Sequence, residues 1–367
     1  LLFGAIATLP LGMDLFASFR VTDIFLLMAI FRSIKKIRLS MSFVLLMFWL
    51  LFSSVFSVIN VGFLRYETLL FLYKFSLPVM LWYVLLHQTT KDAENSFRIL
   101  RIVSVLLAVW VIFYPFLLKG GFLRGNFRPS FPFSDYSISD AHVFSNFLSF
   151  ALIGHLEYWR RNKQSGLYQI LVFVILLSAL LFCGSHNGWL TICFYFIIFL
   201  GTSAKRTFSA LCCFLLTIFL IQYSNIDLEI DKTLFRLLER SGDFDLSDQS
   251  SSNRLLKLRI AMDFWGMNYY FFGLGFFSSP MIWYDGLFGH LTAYFGIAII
   301  YIFALIIKFF IWLVSKGQFT VSFLFVLYLV ANFITEFYCI TRSILPFMVM
   351  LMYFFKHNES SNLNTSI

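Results

Sequence analysis

MSFVLLMFWLLFSSVFSVIN, residues 41–60, runs for twenty residues without a charge. As an α-helix it is about 30 Å long, the thickness of a bilayer's hydrocarbon core. Apolar runs of similar length recur along the whole chain. Hydrocarbon offers no water to backbone N–H and C=O groups, so such runs cross it as helices. The alternating ten-residue pattern of a membrane β-barrel is not seen. Composition agrees: of 367 residues, 60% are hydrophobic and 13% charged, with a mean hydropathy of +0.82. Soluble domains have about 45–50% apolar and about 25% charged residues, so the sequence specifies an integral membrane protein.

The expected fold is an all-α polytopic membrane protein of about twelve spans. They are read near 1–13, 21–31, 41–60, 66–87, 98–118, 141–158, 167–182, 187–201, 207–223, 284–310, 318–334 and 341–356. Residues 1–367 form one transmembrane domain with two loops of substance, 119–140 and 224–283. The first residue is Leu rather than Met, so further N-terminal residues are expected; no cleavable signal peptide stands out, and the spans themselves would direct insertion.

Short basic loops set the orientation. Arg32 to Arg38, Arg160-Arg161-Asn162-Lys163 and Lys205-Arg206 fall on one side, with Lys91, Arg98, Lys308, Lys316 and Lys356. By the positive-inside rule that side is cytoplasmic, and both termini are expected there. The other side carries nine Arg (Arg20, Arg65, Arg124, Arg128, Arg236, Arg240, Arg254, Arg259 and Arg342) against three Lys, while the cytoplasmic side has seven against eight. Topology rules treat Arg and Lys alike and do not explain this skew. A planar guanidinium fork matches phosphate oxygens and stays charged, which suits an anionic ligand. The plainer reading of any single Arg is an anchor that snorkels to lipid headgroups.

The long loop 224–283 has structure of its own. Leu228 to Arg240 is amphipathic, and Ser252 or Asn253 caps a second helix through about Trp265, with Leu256, Ile260 and Phe264 at i, i+4, i+8. Arg254 then sits in the first turn, the wrong end for a cation by about 0.3–1 kcal/mol. An anion resolves that conflict, because free backbone N–H groups and the Arg would both point at it. Lys257 lies one turn on, and Arg259 can pair with Asp263; a plainer pairing of Arg254 with Asp245 or Asp248 stays open. Gly273-Leu274-Gly275 lacks the third glycine of a nucleotide fingerprint and reads as a backbone turn.

Asp285 opens the next span, as a charge that favours the helix dipole or as a general base. Tyr284 and His290 flank it and join the substrate-binding candidates, as do Arg65, Lys257 and Arg259. In the shorter loop, Arg124-Gly125-Asn126-Phe127-Arg128 and Ser134-Asp135-Tyr136 mix Arg, aromatic and acidic residues in the manner of sugar-binding surfaces; an interfacial aromatic loop is the alternative. Gly184 to Gly188 reads as a hairpin turn on the outer side, with His186 a candidate to face the cavity.

The five cysteines lie in or at the ends of apolar runs, and the six histidines have no metal-ligand spacing, so neither metal nor cofactor is expected. The net charge of +9 is read as topological rather than as a sign of nucleic acid.

Three patterns together resemble the O-antigen polymerase/O-antigen ligase superfamily of bacterial inner membranes, as does a major outer loop between spans nine and ten. One is Gly184-Ser185-His186-Asn187-Gly188-Trp189-Leu190, similar to a Ser-Arg-Gly-type motif. Another is Asn253-Arg254 with Asp263-Phe264-Trp265 and then Phe272-Gly273-Leu274-Gly275-Phe276. The third is Asp285-Gly286-Leu287-Phe288 followed by Gly296-Ile297. Two departures matter: His186 stands where the family often has Arg, and Asp285 stands where ligases carry His.

The acidic residue moves the resemblance toward a polymerase. It implies a GT-C-like membrane fold in a Gram-negative inner membrane with its site facing the periplasm. The implied substrates are undecaprenyl-diphosphate-linked oligosaccharides, joined with inversion in lipopolysaccharide biosynthesis, and a chain-length regulator is the implied protein partner. Arg254 would hold the diphosphate, with Arg124, Arg128 and Arg65 in support, and Asp285 would orient or deprotonate the acceptor hydroxyl. Two alternatives remain: a ligase that transfers glycan to lipid A–core, and a flippase of lipid-linked sugars. A flippase would place ionisable residues in mid-span, where Lys74 is the clearest example.

Overall fold

The computed structural model describes residues 1–11, 14–16, 19–33, 40–61, 66–123, 129–133, 141–162, 166–183, 186–199, 256, 273, 291, 294–333 and 341–365. These residues are mostly helical, and two helices within them are long and apolar enough to cross a membrane. The chain opens with α1 (Leu2–Ala7), a hairpin of β1 (Asp14–Phe16) and β2 (Phe19–Arg20), and α2 (Val21–Ser33). Then come α3 (Met41–Val61), α4 (Tyr66–Leu86), α5 (Thr90–Lys119), α6 (Ala141–Asn162), α7 (Leu167–Cys183) and α8 (His186–Phe199). The last three described helices are α9 (Ala298–Ser315), α10 (Phe319–Phe333) and α11 (Thr341–Thr365). The two candidate spans are α5 and α9.

Exposed side chains on these helices are large and apolar. On α3 they are Met41, Val44, Phe48, Leu51 and Val55, and on α9 Ile300, Phe303, Ile307 and Ile311, each set spaced by three or four residues. One helix face therefore presents continuous hydrocarbon outward. Water penalises such a surface and lipid does not. In contrast, α11 is buried at every position from Thr341 to Phe355.

Backbone proximity divides the chain into two compact units. The first comprises Leu1–Met28, Lys91–Phe244 and Leu345–Met350. In it, α6 packs against both α7 and α8. Gly188, in the first turn of α8, makes the closest approach: a Cβ there would lie 2.7 Å from the Ser145 carbonyl oxygen and 2.9 Å from Leu180 Cδ1. On another face of α6, Phe150 packs on Phe347 at 5.2 Å between ring centroids. One turn on, Gly154 leaves room for the Met350 sulfur.

The second unit comprises Ala29–Thr90, Asp245–Ile344 and Leu351–Ile367. Its aromatic centre is Trp82 of α4, edge-on to Phe309 of α9 at 5.1 Å and to Phe355 of α11 at 5.6 Å. The turn between α9 and α10 is tied to the end of α11 by a hydrogen bond from Asn358 Nδ2 to Gln318 Oε1, 2.8 Å.

The spans expected at 41–60, 66–87, 141–158, 167–182 and 318–334 each coincide with a helix to within a few residues. Four features differ. Residues 1–13 do not form a span: α1 has six residues, about 9 Å of helix, and a two-stranded antiparallel hairpin follows that an all-α reading does not contain. The chain then enters α2 with the Arg20 N–H donating to Asp23 Oδ2 at 2.9 Å. The span expected to run unbroken from 284 to 310 is interrupted at Gly296, whose φ of 54° lies outside the helical region, and α9 starts at Ala298. Helices α5 and α11 are longer than their apolar runs, because polar residues continue a helix once it leaves the slab. The expected span 207–223 and nearly all of the loop 224–283 lie outside the described residues.

The Gly188 contact leads to a prediction. Gly188→Ala forces α8 away from Ser145 and Leu180, an overpacking change of about 1–3 kcal/mol. The melting temperature of the purified protein in detergent is expected to fall by several degrees, and an unchanged melt would contradict the close packing.

Candidate functional site

The major loop returns to the bundle at the break that precedes α9. Gly273 is buried and has a φ of 69°, a conformation that L side chains rarely adopt. Its Cα faces the backbone of residues 294–296: a Cβ would lie 2.5 Å from the Tyr294 carbonyl oxygen and 2.6 Å from the Gly296 nitrogen. Glycine is required twice over here, by conformation and by space.

The break leaves a carbonyl without its helical donor. In a continuous helix the Ile299 N–H would bond to Phe295 O; instead it bonds to Gly296 O at 3.2 Å, and Ile300 N–H bonds to Ile297 O at 3.1 Å. Trp49 of α3 takes over, donating from Nε1 to Phe295 O at 3.3 Å. The Phe295 ring packs against Phe75 of α4 with centroids 4.8 Å apart. Tyr294 and Phe295 are both buried. One short segment is thus held by α3, by α4 and by the returning loop, all within the second unit.

Of the residues expected to act, Arg65, Arg124, Arg128, Arg254, Lys257, Arg259, Tyr284, Asp285 and His290 lie outside the described residues. Leu256 is helical and 55% exposed, on the helix expected from Asn253 onward. His186 opens α8, three residues after α7 ends at Cys183; the turn expected between them lies outside the described residues. The Gly188 N–H in that first turn donates to Ser145 Oγ at 3.1 Å, a cap supplied by the neighbouring helix. The sequence reading places Gly188 in the turn and misses Ser145, because only packing reveals an interhelical cap.

Two of the nine outer arginines are described. Arg20 ends the hairpin. Arg342 lies in the first turn of α11 and is fully buried, flanked by buried Thr341 and Ser343. A snorkelling anchor keeps its head in water, so that reading does not apply to Arg342. It carries a fixed charge at the end of a helix where the dipole favours an anion, the same conflict that the sequence shows at Arg254.

The loop 119–140 folds inward in part. The Ser130 carbonyl accepts a hydrogen bond from Trp110 Nε1 at 2.8 Å, and the buried Phe131 ring stacks on Phe144 at 3.9 Å. Phe131 is therefore an anchor and does not offer a sugar-binding face. Phe133 has the opposite character: it is 68% exposed and holds a φ of 62°. A left-handed backbone costs an L-residue about 1–2 kcal/mol, and here it presents an aromatic ring outward.

Polar side chains that the sequence reading does not single out meet between helices of the first unit. Arg101 of α5 donates to His155 Nδ1 at 3.2 Å and to Gln169 Oε1 at 3.1 Å. His155 Nε2 faces the Gln169 carbonyl at 3.0 Å. A guanidinium only donates and a carbonyl only accepts, so these partners assign the neutral ring with its proton on Nε2. The Arg101 guanidinium also lies 4.1 Å over the Tyr158 ring. Beside it, the buried Glu157 accepts from Arg160 at 2.8 Å and from Tyr195 of α8 at 2.9 Å. Every group named is committed to another, which suits a lock between helices rather than chemistry. Among the described residues no three His, Cys, Asp or Glu side chains converge as metal ligands would.

Comparison with protein families, with curated proteins and with solved structures returned no match.

The geometry at the helix break predicts two graded effects. Gly273→Ala meets both the strained φ and the Tyr294 carbonyl and is expected to cost about 1–3 kcal/mol. Trp49→Phe keeps the ring and removes the donor to Phe295 O, with an expected cost of about 1 kcal/mol. Thermal melts in detergent should rank Gly273→Ala below Trp49→Phe and both below the parent; an equal melt for all three would refute the arrangement.

Proposed function

We propose that this chain is an O-antigen polymerase: an inverting glycosyltransferase that joins undecaprenyl-diphosphate-linked oligosaccharide repeat units at the periplasmic face of a Gram-negative inner membrane. The observation that carries the reading is the contact of Gly273 with the backbone of residues 294–296. It joins two parts of the sequence pattern, Phe272-Gly273-Leu274-Gly275 and Gly296-Ile297, that are separated along the chain. Arg254 precedes the Gly273-Leu274-Gly275 pair by about twenty residues and Asp285 precedes Gly296 by eleven. The contact supports a single site to which both contribute.

In the proposed transfer, the acceptor sugar hydroxyl attacks the anomeric carbon of the donor glycan. The new glycosidic C–O bond forms as the bond to the lipid diphosphate breaks, and the lipid diphosphate leaves with the bonding electrons. Asp285 takes the hydroxyl proton. Arg254 stabilises charge that grows on the leaving oxygen, with Arg124, Arg128 and Arg65 in support; the buried Arg342 adds a fixed charge in the second unit. Lys257, Arg259, His186, Tyr284 and His290 are assigned to substrate binding, and the exposed Phe133 ring to stacking on sugar. No metal or cofactor enters the proposal.

The spans expected after residue 13 and cytoplasmic placement of the C-terminus belong to the proposal. The same side for residue 1 is not kept, since the six residues of α1 do not cross a membrane. The alternative from another class is a flippase, favoured by Lys74, a half-buried cation in the middle of α4.

Deleting the gene in its host separates the readings. A polymerase predicts lipopolysaccharide capped by a single repeat unit, a ligase bare core, and a flippase bare core with repeat units held on the cytoplasmic face. Arg254→Ala and Asp285→Ala are each expected to shorten the ladder to one repeat, at least a hundredfold loss of polymer, with normal protein in the membrane. Full-length polymer from Arg254→Ala would sink the diphosphate role.

A further inference from the structure

Asn146 is the sixth residue of α6 and is 1% exposed, yet neither its Oδ1 nor its Nδ2 has a hydrogen-bond partner. The polar groups beside it are committed. Ser145 Oγ accepts the Gly188 N–H, and Ser149 Oγ donates to the Asn146 backbone carbonyl at 2.9 Å. Asn146 lies one turn before Phe150 and two before Gly154, on the face of α6 where those residues pack on Phe347 and Met350. It is also the end of α6 where the Ser130–Phe131 segment folds against Phe144, and it stands opposite the basic end that carries Arg160 and Arg161.

An open amide in an apolar setting costs about 1–3 kcal/mol for each unmade bond. A leucine has the same branching and the same number of side-chain heavy atoms and would remove that cost, so stability alone does not account for Asn146. We propose that the Asn146 amide is a contact for a hydroxyl-bearing, uncharged ligand, the sugar portion of the lipid-linked substrate, which enters from the outer end of α6. An amide offers a donor and an acceptor side by side, the complement of hydroxyls that both donate and accept, and it brings no charge of its own. This rests on the polymerase reading for the identity of the ligand, and only for that.

The test uses the full chain with Asn146→Leu, Ser149→Ala as a control, and p-benzoylphenylalanine introduced at position 146 as a photocrosslinker in living cells. Asn146→Leu is expected to melt at or above the parent temperature while polymer falls at least tenfold, Ser149→Ala to leave polymer unchanged, and position 146 to crosslink to glycan. A normal ladder from Asn146→Leu, or a lower melt that accounts for its loss of polymer, would show a structural amide and overturn the contact while leaving the polymerase reading intact. A deletion strain that still builds full-length polymer overturns the polymerase reading instead. Crosslinking at 146 then decides the contact alone: glycan on the protein upholds it, and none refutes it.

Discussion

Inside hydrocarbon a backbone polar group bonds within its own helix or finds a partner on a neighbour, and the described bundle is organised by the second case. Where α8 begins, the Gly188 N–H is capped by Ser145 of α6. Where the helical path breaks before α9, the carbonyl that Ile299 no longer reaches is taken by Trp49 of α3. Where the loop after α5 dips inward, the Ser130 carbonyl is taken by Trp110. Each partner is a side chain on a different helix, so each helix end is also a fixed point of tertiary packing. Glycine at 188 lets α8 come close enough for the Ser145 bond, and glycine at 273 lets the chain approach the backbone of residues 294–296.

This constraint explains which parts of the fold are legible in the sequence. Hydropathy marks the slab. It therefore locates α3, α4, α6, α7 and α10 well, since their ends fall where apolar character ends. It underestimates α5, whose first turns carry Lys91, Asp92 and Glu94, and α11, which continues past Lys356. It overlooks the break at Gly296, because Leu291, Tyr294 and Phe295 on one side are as apolar as Ala298 to Ile300 on the other. The six-residue helix at the start is read as part of a span for the same reason: the residues are apolar, and apolarity does not report length of regular structure.

The candidate site is legible in outline and not in its contacts. Gly273 is readable as a turn from its neighbour Gly275, but its meeting with Gly296 depends on tertiary structure that no local pattern encodes. The Arg excess on the side expected to be outer suggests an anionic ligand, and the burial of Arg342 separates at least that arginine from headgroup anchoring. The mix of Arg and aromatic residues in the loop 119–140 has two roles under one composition: Phe131 anchors while Phe133 is displayed. The Glu157–Arg160 pair is local, at i and i+3, yet the sequence reading does not single it out, and Arg101, His155 and Gln169 come from three helices and are joined only by the fold.

The two kinds of buried polar group in the first unit carry different information. At its basic end, both ring nitrogens of His155 and both carboxylate oxygens of Glu157 are bonded, to Arg101, Gln169, Arg160 and Tyr195, which ties four helices together at that end. Near the opposite end of α6, Ser145 and Ser149 are also committed, and neither polar atom of the Asn146 side chain has a hydrogen-bond partner. The glycan contact proposed for Asn146 would use that asymmetry: one end fixed, and at the other a neutral polar group whose bonds a ligand would complete. A scaffold that closed every buried polar group would be more stable, so an open amide is a cost that packing alone does not require.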